Sequence, residues 1–181
     1  MHATERLRML FAEVVREAFF NELRYYDSEV VTYVGNLLMD FTSTEQLYRI
    51  RDAKGRRLEE VGEMLIESNP LLAASSFDRE REVRKHIGDY TLFFTGLFPE
   101  SLKRPRRSLR LDYFVDYVKA GQESYDIVSR FDQFEYRRLA PPFRRLAENF
   151  ELCMYGLNRV RDEIRRRESS CYHRFERTVI A

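Results

Sequence analysis

The sequence predicts an all-α fold, a single-domain irregular antiparallel bundle of about six helices. Apolar residues recur with a period near 3.6 through almost every segment, and no stretch alternates apolar and polar residues as a half-buried strand would. Only seven glycines and five prolines occur in 181 residues, which disfavours an all-β sandwich because that fold needs frequent turns. A hydrophobic content of 44% and a charged content of 34% are typical of a folded globular chain.

Six helices are predicted from apolar periodicity, capping residues and breakers. In chain order they run from Thr4 to about Tyr25; from a cap at Asp27 or Ser28 to Phe41; from Ser43 to Ser68, bent or interrupted at Gly55; from a cap at Ser76 or Asp78 to a stop at Gly96 and Pro99; from Leu111 to about Phe131; and from Pro141 to beyond Ile164.

The last helix has the most regular apolar stripe, with spacings that alternate between three and four residues as in a coiled coil. The stripe consists of Phe143, Leu146, Phe150, Cys153, Leu157, Val160 and Ile164. Burial inside the monomer explains this stripe, and a homodimer explains it equally well.

The whole chain, residues 1–181, is predicted to form one domain, with a loop near residues 97–110 and a short tail over 169–181. That loop has two prolines and several basic residues but is too short to argue for a linker between two domains.

Charge and cysteine usage restrict the class of protein. The net charge is +1, from 31 basic and 30 acidic residues, so no global attraction to nucleic acid or to an anionic membrane is expected. No run of 18 apolar residues and no secretory h-region occur. Two cysteines are too few for a disulfide framework. We therefore expect a cytoplasmic protein without a membrane segment, and no motif indicates a cofactor.

Glu82, His86 and Asp89 are three or four residues apart on one predicted helix, so their side chains can meet. A histidine beside carboxylates is typical of a general base or of a metal ligand. Helical di-metal sites, however, place a glutamate three residues before the histidine, and that position is Val83. No metal is therefore assigned. His86 either belongs to a ligand pocket or is a core-edge residue paired with Asp89 or with a tyrosine of a neighbouring helix.

An acidic and tyrosine-rich flank lies on the fifth predicted helix. Together with His86 and Asp89, its residues Asp116, Tyr117 and Tyr125 are candidates for a polar ligand pocket between helices. The alternative is that these tyrosines line the boundary of the core, where the phenol hydroxyl can reach a polar partner.

Gly88 and Gly121 each lie inside a strongly periodic segment. A glycine there costs about 1 kcal/mol relative to alanine, and close approach of two helix backbones would offset that cost through added van der Waals contact. We expect the fourth and fifth helices to cross near these glycines; the alternative is that the glycines mark kinks.

The segment from Lys103 to Arg110 is strongly basic, and Arg104, Arg106 and Arg107 are its candidate anion ligands. No aromatic residue interleaves with these arginines, so a solvated loop is favoured over a nucleic-acid site.

A sequence signature formed by His86, Ile87, Gly88, Asp89, Leu92, Phe93, Gly96, Phe98 and Pro99 resembles that of a family of uncharacterised all-helical bacterial proteins. Weaker likenesses lie at Tyr33–Phe41 and at Asp116–Tyr125, so the resemblance covers about residues 30 to 130. It implies a bacterial source and a helical fold, and it transfers no catalytic residue.

These observations favour a non-enzymatic binding or protein-interaction module, with Phe93, Phe94 and Phe98 as aromatic anchors for a protein partner. The alternative is a small-molecule or metal-binding protein, including an enzyme, with a polar pocket around His86. A protein partner, a homodimer or a small ligand fits one or the other hypothesis.

Overall fold

The computed structural model describes residues 3–103 and 115–167, and it confirms the all-α bundle. In the described residues the only strand-like feature is an isolated bridge between Arg51 and Arg57. The α-helices are α1 (Ala3–Arg16), α2 (Ser28–Asp40), α3 (Thr44–Leu47), α4 (Val61–Glu67), α5 (Phe77–Leu97), α6 (Tyr117–Ser129), α7 (Ala140–Glu148) and α8 (Phe150–Arg166). A π-helix (Glu17–Glu22) continues α1, and short 3-10 helices cover Ser101–Lys103 and Phe134–Arg138.

Among the described helices, three begin at a capping side chain. The caps of α2 and α5 are among those predicted, whereas the fifth helix was predicted from Leu111 and begins at Tyr117. Asp27 accepts a hydrogen bond from the Val30 amide, Ser76 from Arg79, and Asp116 from Lys119. Each cap satisfies one of the backbone amides that a first helical turn leaves without a partner. Capping therefore sets where α2, α5 and α6 start.

Helix α5 lies at the centre of the bundle and packs mainly against α6 and α8, with further contacts to α4 and α2. Every residue from His86 to Leu97 is buried. This half of the helix is therefore buried on all sides, as expected of a helix that is surrounded by neighbours. Its threonines are satisfied internally: the Thr91 hydroxyl donates to the Ile87 carbonyl at 2.7 Å, and Thr95 to Thr91 at 2.6 Å.

The third predicted helix is wrong in its extent. Only one turn (α3) forms, the chain turns at Gly55, where φ is +80°, and α4 begins at Val61. The apolar residues of the intervening loop, Ile50 and Leu58, are still buried, and the Leu58 amide donates to the Ile50 carbonyl at 2.9 Å. Apolar residues therefore recur at helix-like spacing through a segment that is not helical, and this spacing led to the wrong prediction.

The last predicted helix is two helices. The chain breaks at Asn149, whose φ and ψ are −112° and 23°, and whose side-chain amide donates to the Arg145 carbonyl at 2.9 Å. All members of the apolar stripe are nevertheless buried in the core of the monomer. The stripe is thereby explained without a homodimer.

Gly96 was predicted to end the fourth helix, but it lies inside α5. The helix continues to Leu97, and a Cβ added at Gly96 would lie 2.5 Å from the Leu157 Cβ on α8. This glycine therefore allows close approach of two helices. Gly156 has the same role on α8, where an added Cβ would lie 2.5 Å from the ring of Phe19 in the π-helix.

Candidate functional site

A buried carboxylate, Asp89, joins three helices. Its Oδ1 accepts hydrogen bonds from the hydroxyls of Tyr33 on α2, at 2.5 Å, and Tyr125 on α6, at 2.8 Å. Its Oδ2 accepts a hydrogen bond from Lys85 Nζ at 2.7 Å. A buried charge is tolerated when hydrogen bonds replace the lost hydration, and here both oxygens have partners.

The two tyrosines stay protonated beside this carboxylate. Burial, and then the neighbouring Asp89, raise the pKa of both Tyr33 and Tyr125 well above the ordinary value. Their hydroxyls therefore act as hydrogen-bond donors at neutral pH. The Lys85 ammonium also lies 5.2 Å from the centre of the Tyr33 ring, a cation–π distance.

His86 is fully buried one turn before Asp89 but bonds to a different element. Its Nδ1 accepts a hydrogen bond from Arg49 Nε at 3.3 Å, and its ring lies near those of Phe41 and Tyr90. Burial and the Arg49 guanidinium lower the pKa of His86 to about 3. The imidazole is therefore neutral, and among the described residues its Nε2 has no hydrogen-bond partner of normal geometry.

Arg81 lies one turn before Lys85 on the same face of α5 and is half-buried. Its guanidinium lies over the ring of Tyr136 at 4.0 Å from the centroid, and burial lowers its pKa. The hydroxyl of Tyr136 in turn donates to Asp78 Oδ1 at 2.8 Å. These contacts attach the 3-10 helix Phe134–Arg138 to the first turn of α5.

The structure brings some of the predicted site residues together and separates others. His86, Asp89 and Tyr125 lie in one polar region. Asp116 is exposed and caps α6, and the nine residues from Asp116 to Tyr125 correspond to about 13 Å along the helix axis. Tyr117 is partly buried in the first turn of α6.

The predicted grouping of Glu82 with His86 and Asp89 is wrong. Glu82 points to solvent and forms an ion pair with Arg79 at 3.1 Å. His86 accepts a hydrogen bond from Arg49, whereas Asp89 accepts hydrogen bonds from tyrosine hydroxyls. His86 and Asp89 therefore have separate partners.

Tyr33, Arg49 and Lys85 complete the polar region and were missed by sequence reasoning. Lys85 could have been found, because it precedes Asp89 by four residues on a helix. Tyr33 and Arg49 lie on other elements, 56 and 37 residues from their partners, and no local pattern indicates such pairs.

Gly88 and Gly121 each face the opposite helix of the α5–α6 pair. A Cβ added at Gly88 would lie 2.4 Å from Tyr125 Cε1, and one added at Gly121 would lie 2.4 Å from Thr91 Oγ1 and from Phe150 Cζ. The ring of Tyr125, whose hydroxyl donates to Asp89, thus occupies the space that a side chain at position 88 would fill.

The aromatic anchors predicted for a partner are wrong, because Phe93, Phe94 and Phe98 are core residues. The four most exposed large apolar side chains lie elsewhere. Leu71, Leu72 and Phe77 precede or begin α5 and are 92%, 66% and 76% exposed, and Phe134 is 90% exposed. We refer to these four residues as the apolar surface.

Phe134 combines exposure with an unusual backbone. Its φ is +49°, a left-handed conformation in which a bulky side chain is an outlier that costs of order 1–3 kcal/mol. The Tyr136 contacts with Asp78 and Arg81 hold the segment two residues further on.

The candidate anion ligands Arg104, Arg106 and Arg107 lie outside the described residues, as do residues 104–110 of the predicted loop and the whole of the predicted tail. Within residues 3–103 and 115–167, no three His, Cys, Asp or Glu side chains are grouped so that they could hold a metal ion. No helix in that part of the chain has the length and apolar character needed to span a membrane.

The resemblance to a bacterial helical family stays a prediction. Comparison of the chain with models of protein families, with curated proteins and with solved structures gives no significant match.

Proposed function

We propose that this protein is a non-enzymatic helical interaction module, and that its apolar surface binds a segment of a partner protein. The observation that carries the proposal is Phe134, a nearly fully exposed phenylalanine with a left-handed backbone. A strained backbone that carries an apolar ring exposed to water is expected at a functional site. A partner that buries the ring would offset the free-energy cost of that conformation.

The apolar surface is formed by two segments that are tied together. Phe77 is the first residue of α5, and Leu71 and Leu72 lie in the preceding loop. The hydrogen bond from Tyr136 to Asp78 brings the Phe134 segment to this end of α5. Exposed apolar side chains grouped in this way mark interaction sites more often than isolated ones do.

The charges beside Phe134 indicate the chemistry of the partner. Arg137 and Arg138 are exposed and form no ion pair with any described residue. Asp132 and Glu135 lie before them on the same segment, so the positive charge is confined to its C-terminal half. A partner segment that combines apolar side chains with a few acidic ones is complementary to this arrangement.

The contacts of the polar region around His86 argue against the alternative hypothesis of a small-molecule pocket there. His86 is fully buried, and both carboxylate oxygens of Asp89 accept hydrogen bonds from protein groups. A small molecule would have to replace those bonds in order to bind there, at the cost of leaving buried groups unpaired. The alternative of a ligand site around His86 is therefore less well supported.

Selection of displayed peptides against the immobilised full chain tests the proposal. We expect enriched peptides to combine aromatic or aliphatic residues with Asp or Glu. Phe134→Asn and Phe77→Ser should each weaken binding of a selected peptide by at least about tenfold. Asparagine is chosen at position 134 because it tolerates a left-handed backbone.

Tyr155→Ser is the matched control, because Tyr155 is an exposed aromatic residue on α8. It should leave peptide binding unchanged. The proposal is wrong if selection enriches no such peptides, or if the peptides bind the Phe77→Ser/Phe134→Asn double variant as well as they bind the unmodified chain.

A further inference from the structure

A concave region lies between α2 and the helix formed by α1 and its π-helical continuation. It is a groove of about 370 Å³, within the size range of small-molecule sites. Arg8, Ala12, Arg16 and Phe20 line one wall at four-residue intervals. The opposite wall has the apolar residues Val31, Gly35 and Met39 and the polar residues Ser28, Thr32 and Asn36. The groove therefore runs along both helices.

The groove is open at Gly35 on the α2 wall. Outside its own helix backbone, no described atom lies within 4 Å of a Cβ added at Gly35. At Gly88, Gly96, Gly121 and Gly156, by contrast, an added Cβ would come within 2.4–2.5 Å of a neighbouring side chain. Those glycines are explained by packing. Gly35 has a helix-propensity cost and no packing reason, and its effect is to leave space.

Two unpaired cations border this space. Arg8 and Arg16 are exposed and form no ion pair with any described residue, although Arg16 lies 5.6 Å from the centre of the Phe20 ring. The acidic residues nearest to Arg16 are otherwise engaged, since Glu13 and Glu17 both pair with Arg167. Glu5, three residues before Arg8, is exposed. Eight helical residues separate the two arginines by about 12 Å.

We propose that this groove binds an elongated organic dianion with an apolar middle, namely a dicarboxylate whose two carboxylate groups are joined by an aliphatic chain. Ala12, Val31 and Gly35 contact the chain, and Arg8 and Arg16 bind carboxylate groups near either end of the groove. Guanidinium groups suit this task because they form paired hydrogen bonds with carboxylates. The inference does not rest on the apolar surface or on its partner.

Calorimetric titration of the full chain with octanedioate, octanoate and the uncharged octane-1,8-diol tests this inference. We expect octanedioate to bind most tightly, octanoate more weakly, and the diol at least tenfold more weakly than octanedioate. Arg8→Gln and Arg16→Gln should each weaken octanedioate binding at least fivefold, whereas Arg144→Gln, at an exposed arginine on α7, should not change it.

Gly35→Leu fills the groove and is the decisive variant. It should fold normally, because the position adjoins open space, and it should weaken octanedioate binding at least tenfold, while Gly35→Ala reduces it much less. The inference is overturned if Gly35→Leu binds octanedioate as the unmodified chain does, or if the diol binds as tightly as the dianion. It is also overturned if Gly35→Leu abolishes binding of the selected peptides, since the groove would then belong to the protein partner.

Discussion

His86 shows how strongly a single position depends on its surroundings. An imidazole packed between the rings of Phe41 and Tyr90 and beside the Arg49 guanidinium cannot gain a proton without placing a second charge in a buried region. Its pKa falls to about 3, from an ordinary value of 6.5. The folded state therefore prefers the neutral form, whereas the unfolded chain accepts a proton near pH 6.5.

A loss of stability in acid follows from that difference. The contribution of His86 is complete above about pH 6.5 and declines as the pH falls towards 3, because only the unfolded state binds the proton in that interval. Between pH 7 and pH 4.5 the free energy of unfolding should fall by about 2–3 kcal/mol from this residue alone.

Urea unfolding of the unmodified chain and of His86→Gln at the two pH values measures this effect. The glutamine side chain is uncharged throughout and offers an oxygen to Arg49. The difference between pH 7 and pH 4.5 should therefore be about 2–3 kcal/mol smaller in the variant. An equal pH dependence in both proteins would contradict the assigned pKa.

At this scale the sequence identified His86 and Asp89 as unusual but not their partners. Spacing along one helix indicates which residues can meet on that helix, and it wrongly suggested Glu82. Tyr33 and Arg49 reach α5 from other elements, so their contacts depend on how the helices are placed in three dimensions.

Helix contacts in this bundle depend on glycines that are not interchangeable. At Gly88 on α5, the ring of the fully buried Tyr125 lies where a Cβ would be. At Gly35 on α2, that position is open. Substitution of these two glycines by alanine should therefore change the free energy of unfolding in opposite directions.

Gly88→Ala should lower the free energy of unfolding by about 1–3 kcal/mol, because overpacking outweighs the gain in helix propensity. Gly35→Ala should raise it by up to about 1 kcal/mol, because only the propensity term applies. Chemical denaturation of the two variants gives both values. A stabilising Gly88→Ala would show that α5 and α6 are further apart at this point than the structure has them.

Periodicity predicted the faces of the helices better than their ends. The stripe from Phe143 to Ile164 is buried throughout, yet the chain breaks at Asn149 between α7 and α8. A break that keeps the next apolar residue facing the core does not disturb the three-and-four spacing. Ile50 and Leu58 are likewise buried although they lie in a loop. Their apolar spacing therefore led to the prediction of one helix across that loop.

In the whole molecule, the C-terminal end of α8 is joined to the first helix by ion pairs. Arg167 contacts Glu13 at 2.9 Å, Glu17 at 3.0 Å and Glu163 at 2.8 Å. Earlier on α8, Arg159 contacts Glu22 of the π-helix at 2.7 Å. These contacts connect elements that are about 140–150 residues apart along the chain.

Arg167→Gln should lower the free energy of unfolding by about 1 kcal/mol at low ionic strength, because a partly exposed network contributes more than an isolated surface pair. In about 1 M NaCl, where charges are screened within about 3 Å, the difference should largely vanish. Thermal or urea unfolding at both salt concentrations measures it, with Arg144→Gln as a control that lacks an ion pair with described residues. A loss that is independent of salt would mean that Arg167 acts through its aliphatic stem.

The all-α architecture was predictable because it depends on an average over many residues, to which each periodic segment contributes. The contacts between chain ends were not predictable, since oppositely charged residues occur all along this sequence. The choice of Glu13 and Glu17 as partners of Arg167 depends on where α8 ends in space.

The thiol of Cys153 gives the folded chain an internal reporter. It is fully enclosed on α8, and burial raises its pKa to about 12, so almost no reactive thiolate exists at neutral pH. An alkylating reagent can modify this sulfur only in molecules whose α8 has separated from the core. The rate of its labelling therefore counts such openings over time, without any probe being added to the sequence.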